Sequence, residues 1–148
     1  MATQRSESQV TLRVTRALAY PRERVWRAWT EAGALARWMA PADGFTTTVP
    51  ELDLRPGGRY AIEMIAPDGN LNRVAGSYRE VRAPERLVFT WQWETGGMRE
   101  ETVVTVELRE RAGGTELTLT HERFPNEKTR DDHSHGWDGC LARLAQHA

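Results

Sequence analysis

The last twenty residues, TRDDHSHGWDGCLARLAQHA from Thr129 to Ala148, decide how the rest of the chain is read. At 3.6 residues per turn, His133, Trp137, Cys140, Leu141, Leu144 and Ala148 fall on one stripe. His135, Asp138, Ala142, Arg143 and Gln146 fall on the opposite side. No proline interrupts Asp131 to Ala148, and Asp131 and Asp132 supply the negative charge that a helix start favours. The spacing therefore predicts one amphipathic C-terminal helix beginning near Asp131. A lone helix of this length is marginal in water, so its apolar stripe needs a surface to lie on.

The preceding residues supply a sheet. Val10, Leu12 and Val14 alternate with Thr11, Arg13 and Thr15, which predicts a half-buried strand over Val10 to Leu18. Pro21 suits a first helical position, and Val25, Ala28 and Trp29 give a helical face running to Thr30. Thr30 is then placed to cap a second short helix, Glu31 to Met39, with Leu35, Trp38 and Met39 on one side; Ala40 to Gly44 closes the pair. From Phe45 onward, turn signals recur at Arg55-Pro56-Gly57-Gly58, Asp68-Gly69-Asn70, Ala83-Pro84-Glu85, Gly96-Gly97 and Gly113-Gly114. The runs between them alternate, with Tyr60, Ile62 and Met64, then Val74, Gly76 and Tyr78, then Leu87, Phe89, Trp91 and Trp93 on the inner face. Val104, Val106 and Leu108, then Leu117, Leu119 and His121, continue that face. The expected class is α+β: a curved antiparallel sheet of about seven strands around a long C-terminal helix, with two short helices after the first strand. A bent sheet and a single helix touch imperfectly, so a cavity is expected between them.

A chain of 148 residues suits one domain, expected over residues 10–148 behind a disordered polar lead, Met1 to Gln9. The net charge of -1 argues against broad attraction to nucleic acid or to anionic membranes. Of 20 Lys and Arg residues only Lys128 is lysine, leaving 19 arginines spread along the chain and matched by 21 acidic residues, which does not describe a phosphate-binding patch. The lead has no apolar core of signal-peptide length and no later run approaches 18 apolar residues, so a cytoplasmic protein without membrane insertion is expected. Cys140 is the sole cysteine, and its place on the apolar stripe favours a buried thiol over a nucleophile.

Several of these residues together resemble the heat-shock protein 90 ATPase activator homologue family. They are Pro21, Val25, Trp26, Ala28, Thr30, Leu35 and Trp38; Asp53 with Arg55-Pro56-Gly57-Gly58; Gly76 with Glu80; Pro84 through Trp91; Gly114-Thr115 with Leu117, Leu119 and His121; and Gly136-Trp137 with Leu141 and Leu144. The family is similar in fold to the START-like, or SRPBCC, superfamily of lipid-binding and polyketide-cyclase domains. The resemblance covers Val10 to Ala148 and implies a helix-grip fold with a deep hydrophobic cavity. Members often carry Trp-Trp at the end of the second helix, where this chain has Trp38-Met39, a softer wall. The family name, with its link to stress response, comes from eukaryotic co-chaperones that resemble this domain only in their C-terminal part. Their separate N-terminal chaperone-stimulating domain has no room in 148 residues.

The candidate ligand-binding wall is aromatic: Trp38, Phe45, Tyr78, Trp91, Trp93, Phe124 and Trp137, with Met39, Met64 and Leu141 filling between them. His121 shares the inner face of its strand, where it serves either as a ligand-orienting or acid-base group or as a structural histidine, the latter favoured; His133 on the helix stripe could face the same space. Two histidines without a third ligand do not make a metal site, so no metal and no cofactor are expected. Glu80 is read as an ion-pair partner of Arg82 or Arg86. No nucleophile elbow, phosphate loop or zinc spacing is present, so catalytic residues stay unassigned. The leading expectation is a binder of an apolar or aromatic small molecule. A polyketide-cyclase-like or other cavity enzyme and a chaperone-associated interaction module are the alternatives, and a homodimer is left open.

Overall fold

The structure, a computed structural model, describes residues 10–148, so the expected lead Met1 to Gln9 lies outside the described residues. Strand β1 (Thr11–Leu18) is followed by helices α1 (Arg22–Thr30) and α2 (Ala32–Trp38), then by β2 (Thr46–Leu52), β3 (Arg59–Ile65), β4 (Leu71–Arg82), β5 (Arg86–Trp93), β6 (Thr102–Arg111) and β7 (Gly114–Glu122), and by α3 (Glu127–His147). The sheet order is β1-β7-β6-β5-β4-β3-β2, every pair antiparallel. The six strands from β2 are a meander, as the turn spacing predicted. Strand β1 closes onto β7 with Leu12 opposite His121 and Val14 opposite Leu119. Period two holds along β7, where Thr115, Leu117, Leu119 and His121 are buried and the residues between them are half-buried.

The curvature has a local cause. Tyr60 on β3 sits opposite Gly76 on β4, and its hydroxyl passes across that strand to donate to the Thr90 carbonyl on β5 at 2.6 Å. A side chain at residue 76 would block this, since a Cβ there would lie 2.1 Å from the Thr90 oxygen. The Thr90 hydroxyl meanwhile accepts from the Ser77 amide at 2.9 Å, so the donors and acceptors displaced from the ladder are satisfied by side chains. One-residue irregularities follow between Tyr78 and Glu80 and between Thr48 and Glu51, and such bulges bend and twist the strands that carry them.

Helix α3 lies in the concavity. Trp137, Cys140, Leu141, Leu144 and Ala148 are buried, as the stripe requires, and Trp137 stacks at a tilt on Trp91 with 5.1 Å between ring centroids. Three start signals differ from the expectation. Helix α3 begins a full turn earlier, at Glu127, because the Asn126 carboxamide accepts from both the amide and the hydroxyl of Thr129 at 2.8 Å and is the better cap. Thr30 does not cap α2; it is the last residue of α1 and its hydroxyl donates back to the Trp26 carbonyl at 2.8 Å, leaving Glu31 at the junction. Pro21 stands one position earlier than expected, as the N-cap of α1.

The helices satisfy one another's ends. Arg143 on α3 donates to the terminal carbonyls of α2, Trp38 at 3.2 Å and Arg37 at 3.3 Å, and pairs with Asp43. In return, Tyr20 and Arg24 donate to the Ala145 and Ala148 carbonyls at 2.9 Å. On the outer face Glu80 pairs with Arg86 at 3.1 Å and Arg82 at 3.5 Å, and Arg86 reaches Glu107 at 2.6 Å.

Leu141, 1% exposed on the contact line between helix and sheet, gives one test: Leu141→Ala should lower stability by about 2–5 kcal/mol in chemical denaturation. Gly76→Ala should destabilise by about 3 kcal/mol or more, because the obstacle is backbone and cannot rotate away, while Tyr60→Phe should cost about 1–3 kcal/mol for the stranded Thr90 carbonyl. A Gly76→Ala protein as stable as wild type would remove Tyr60 and Gly76 as the cause of the bend.

Candidate functional site

A cleft of about 320 Å³ opens between α3 and the β3–β5 half of the sheet. The strands contribute Met64, Asn72, Trp91 and Trp93. Helix α3 contributes Asp132, His133, Gly136, Trp137 and Cys140, spaced at i, i+3, i+4 and i+7 from His133, and the residues after α2 contribute Met39, Pro41 and Phe45. Of the twelve residues expected to line a site, the structure brings seven together: Met39, Phe45, Met64, Trp91, Trp93, His133 and Trp137.

The other five lie behind the wall. Trp38 is fully buried with its indole donating to the Ala28 carbonyl at 2.9 Å, joining α2 to α1. Tyr78 packs against Tyr60 and Phe89 at 5.6 and 6.2 Å, beside a residual space of about 10 Å³, and its phenol is held well above the usual range by burial. Leu141 and Phe124 are core, Phe124 lying 4.3 Å from the His121 ring. His121 has no exposed surface at all.

Sequence reasoning missed Pro41, Asn72, Asp132, Gly136 and Cys140 as lining. Asn72 was accessible to it: alternation read back two residues from Val74 places Asn72 on the inner face. Gly136 and Gly139 carried a signal of another kind. A Cβ at Gly139 would lie 1.9 Å from the Pro41 carbonyl oxygen, so that glycine lets the loop after α2 touch the helix. A Cβ at Gly136 would meet nothing within 4 Å; that glycine faces the open cleft.

Both imidazoles are committed. The Thr102 hydroxyl donates to the Trp91 carbonyl at 2.9 Å and therefore accepts at 2.7 Å from His121 Nε2, which carries the proton; His121 Nδ1 accepts from the Trp137 indole at 3.0 Å. His133 takes the opposite tautomer, with Nδ1 donating to the Thr129 carbonyl at 2.8 Å and Nε2 accepting from the Trp93 indole at 2.9 Å. Two indole-to-imidazole bonds thus tie helix to sheet, one behind the cleft and one at its rim. Burial pushes the His121 pKa well below the usual value, with His133, 5.3 Å away between ring centroids, lowering it further; burial also lowers His133, against the opposing effects of Thr129 and Asp132. Burial pushes the Cys140 thiol up to about 12, the wrong direction for a nucleophile. Among the described residues no three His, Cys, Asp or Glu side chains are grouped to hold a metal ion. No helix of the described residues is long and apolar enough to cross a membrane.

A curved seven-stranded sheet gripping a long C-terminal helix, with two short helices after the first strand and a cleft along the helix, defines a START-like helix-grip domain. Within that superfamily the chain belongs to the family of activator of Hsp90 ATPase homolog 1-like proteins, whose model matches residues 19–148. A protein from Chromobacterium violaceum is 33% identical, with a TM-score of 0.85 over 93% of this chain and 95% of that one. The AHSA1 protein from Silicibacter pomeroyi is 26% identical (TM-score 0.79; 92% and 95% covered), and an AHSA1-like protein from Aeromonas hydrophila is 27% identical (TM-score 0.76; 93% and 90% covered). Among curated proteins none matches the chain significantly.

The neutral imidazoles carry a pH dependence. The unfolded chain binds protons on them near pH 6.5 while the native state resists, so stability present above that pH is lost as pH falls below it. His121 sets a limit of about 1.4 kcal/mol per pH unit between about pH 6.5 and 5, and half-buried His133 adds less. Denaturation midpoints across that range measure the slope. His133→Gln, which still accepts from Trp93 but does not titrate, should flatten it in part.

Proposed function

We propose that the protein binds an apolar, aromatic small molecule in the cleft between the sheet and α3. The observation that carries this is the cleft wall: Trp91, Trp93, Trp137 and Phe45 line one space, with Met39 and Met64 as deformable filling. Its volume of about 320 Å³ falls at the lower end of the range for small-molecule sites, which are concave, mostly apolar and few per protein. The helix-grip fold of the family supports the same reading, since it is a ligand-binding or chaperone-associated module in general.

A cavity enzyme is less well supported. General acid-base work needs groups free to exchange a proton with substrate, whereas both nitrogens of His133 and of His121 are occupied and the Cys140 thiol stays protonated. That leaves the solvent-facing Asp132 as the one carboxylate among the described lining residues, without a second group beside it to complete an acid-base pair. A chaperone-associated module would call for a broad apolar surface. The exposed large apolar residues among those described are Leu54, Ile65 and Leu71, of which Ile65 and Leu71 face each other at the β3–β4 hairpin.

Gly136→Leu tests the proposal. Its Cβ meets nothing within 4 Å and the rest of the side chain extends into the cleft, and it removes a glycine from a helix interior, so the melting temperature should hold or rise, consistent with about 1 kcal/mol for a mid-helix glycine. The wild type should bind the neutral dye N-phenyl-1-naphthylamine with a rise in dye fluorescence, and the variant should not. Dye binding unaffected by Gly136→Leu would place the dye elsewhere and end the case for this cleft.

A further inference from the structure

The polar rim of the cleft is one-sided. Asn72, Trp93, His133 and Asp132 gather at one end: Val74 pairs with Trp93 in the sheet, Asn72 lies two residues before it on the same face, and Trp93 is bonded to His133, next to Asp132. The side-chain N–H groups of Asn72, Trp93 and His133 at that end are already spent. Asn72 Nδ2 donates to the Met64 carbonyl at 3.2 Å and the Asn70 carbonyl at 3.4 Å, leaving its Oδ1 without a partner among the described residues. The Trp93 indole is held by His133, the Trp137 indole by His121 and the His133 Nδ1–H by Thr129, while the Trp91 indole N–H has no partner among the described residues and is buried within the wall, out of reach of the rim. Asp132 receives Lys128 at Oδ2, 3.1 Å away, and among the described residues its Oδ1 has no partner; Lys128 does not line the cleft, and neither does any arginine of the described residues. What the rim offers an occupant is therefore acceptors, one of them a carboxylate, beside an aromatic floor.

We infer that the cleft selects aromatic molecules whose polar end is a hydrogen-bond donor, uncharged or cationic (an amine, a phenol or an amide N–H), and that it rejects carboxylates and sulfonates. This rests on the cleft being the binding site. A donor at the rim meets Asn72 Oδ1 and Asp132. An anion would place its charge against Asp132 and the His133 imidazole, which has no free N–H, losing hydration without gaining a partner. The choice is independent of the rings, which stack on the indoles in either case.

Three probes of one shape separate these effects. N-phenyl-1-naphthylamine carries an amine N–H, 1-anilinonaphthalene-8-sulfonate is the same molecule with an anionic group, and 1-benzylnaphthalene has a methylene in place of the amine and neither polar group. The amine should bind the wild-type protein at least about ten-fold more tightly than the sulfonate and about five-fold more tightly than the hydrocarbon. Asp132→Asn, at an exposed position, should narrow the gap between amine and sulfonate at unchanged melting temperature. Asn72→Leu should reduce the advantage of the amine over the hydrocarbon, and Asn72→Leu combined with Asp132→Asn should reduce it further. Sulfonate binding equal to that of the amine, with both lost in Gly136→Leu, would overturn the selectivity and leave the cleft as the site. Amine and hydrocarbon binding alike would overturn the donor requirement. Failure of all three to bind, or binding that survives Gly136→Leu, would take down the cleft itself and this inference with it.

Discussion

Two neutral imidazoles hold the helix to the sheet. Trp137 donates to His121 and Trp93 donates to His133, so each bond joins an indole from one wall to a ring nitrogen on the other, and each exists only while that nitrogen lacks a proton. The remaining nitrogen of each ring is spent in fixing the tautomer, through Thr102 for His121 and through Thr129 for His133. The arrangement suits a geometry in which one helix faces a broad concave sheet and apolar contact cannot cover the whole span. Where Leu141 and Leu144 touch the sheet, packing suffices; where the surfaces diverge, aromatic side chains with a polar end bridge the gap. The cleft begins where those bridges stop.

The curvature that makes the surfaces diverge comes from the far side of the sheet's inner face. Tyr60 crosses Gly76 to reach Thr90, so the middle of the meander is pinned by a side chain where a ladder bond would otherwise run, and β5 is turned at the point from which Trp91 and Trp93 project. A flat sheet would lay these two indoles against α3 as core. The bend instead leaves both at the cleft wall, Trp91 buried and Trp93 half-buried, with their rings edge to face at 5.6 Å.

Strand positions were legible because alternation is local: Tyr60, Ile62 and Met64, or Leu117, Leu119 and His121, declare a face without knowledge of their partners. The face does not declare its depth. Tyr78 and Trp91 share the inner side of adjacent strands, yet one packs into core and the other lines the cleft, a difference set by the bulge after Tyr78 and by how far α3 stands off. The start of α3 was misplaced for a related reason. Asp131 and Asp132 satisfy a charge preference worth a few tenths of a kcal/mol, and Asn126 with Thr129 satisfies a hydrogen-bond geometry worth about 1 kcal/mol, so the cap wins over the dipole. The inward, structural placing of His121 followed from strand alternation, but the tautomers of His121 and His133 did not, since they depend on partners on other elements: Thr102 and Trp137, 19 and 16 residues from His121, and Trp93, 40 residues from His133.

Gly136 and Gly139 separate a cleft from a packing defect. Both sit inside α3, where each glycine costs about 1 kcal/mol relative to alanine. Gly139 has a structural reason, because the Pro41 carbonyl occupies the place of its Cβ. Gly136 has none of that kind: no atom beyond its own stretch of helix approaches within 4 Å of where its Cβ would stand, and a larger side chain there would extend into the space that Trp91, Trp93 and Trp137 line. A helix optimised only to fill the concavity would carry such a side chain. Gly136 breaks the local rule without a gain in packing, and the places where a chain departs from the consistency of its own fold are where sites are expected. The binding role proposed for the cleft supplies the reason that packing does not: an occupant needs the space that a side chain at Gly136 would fill.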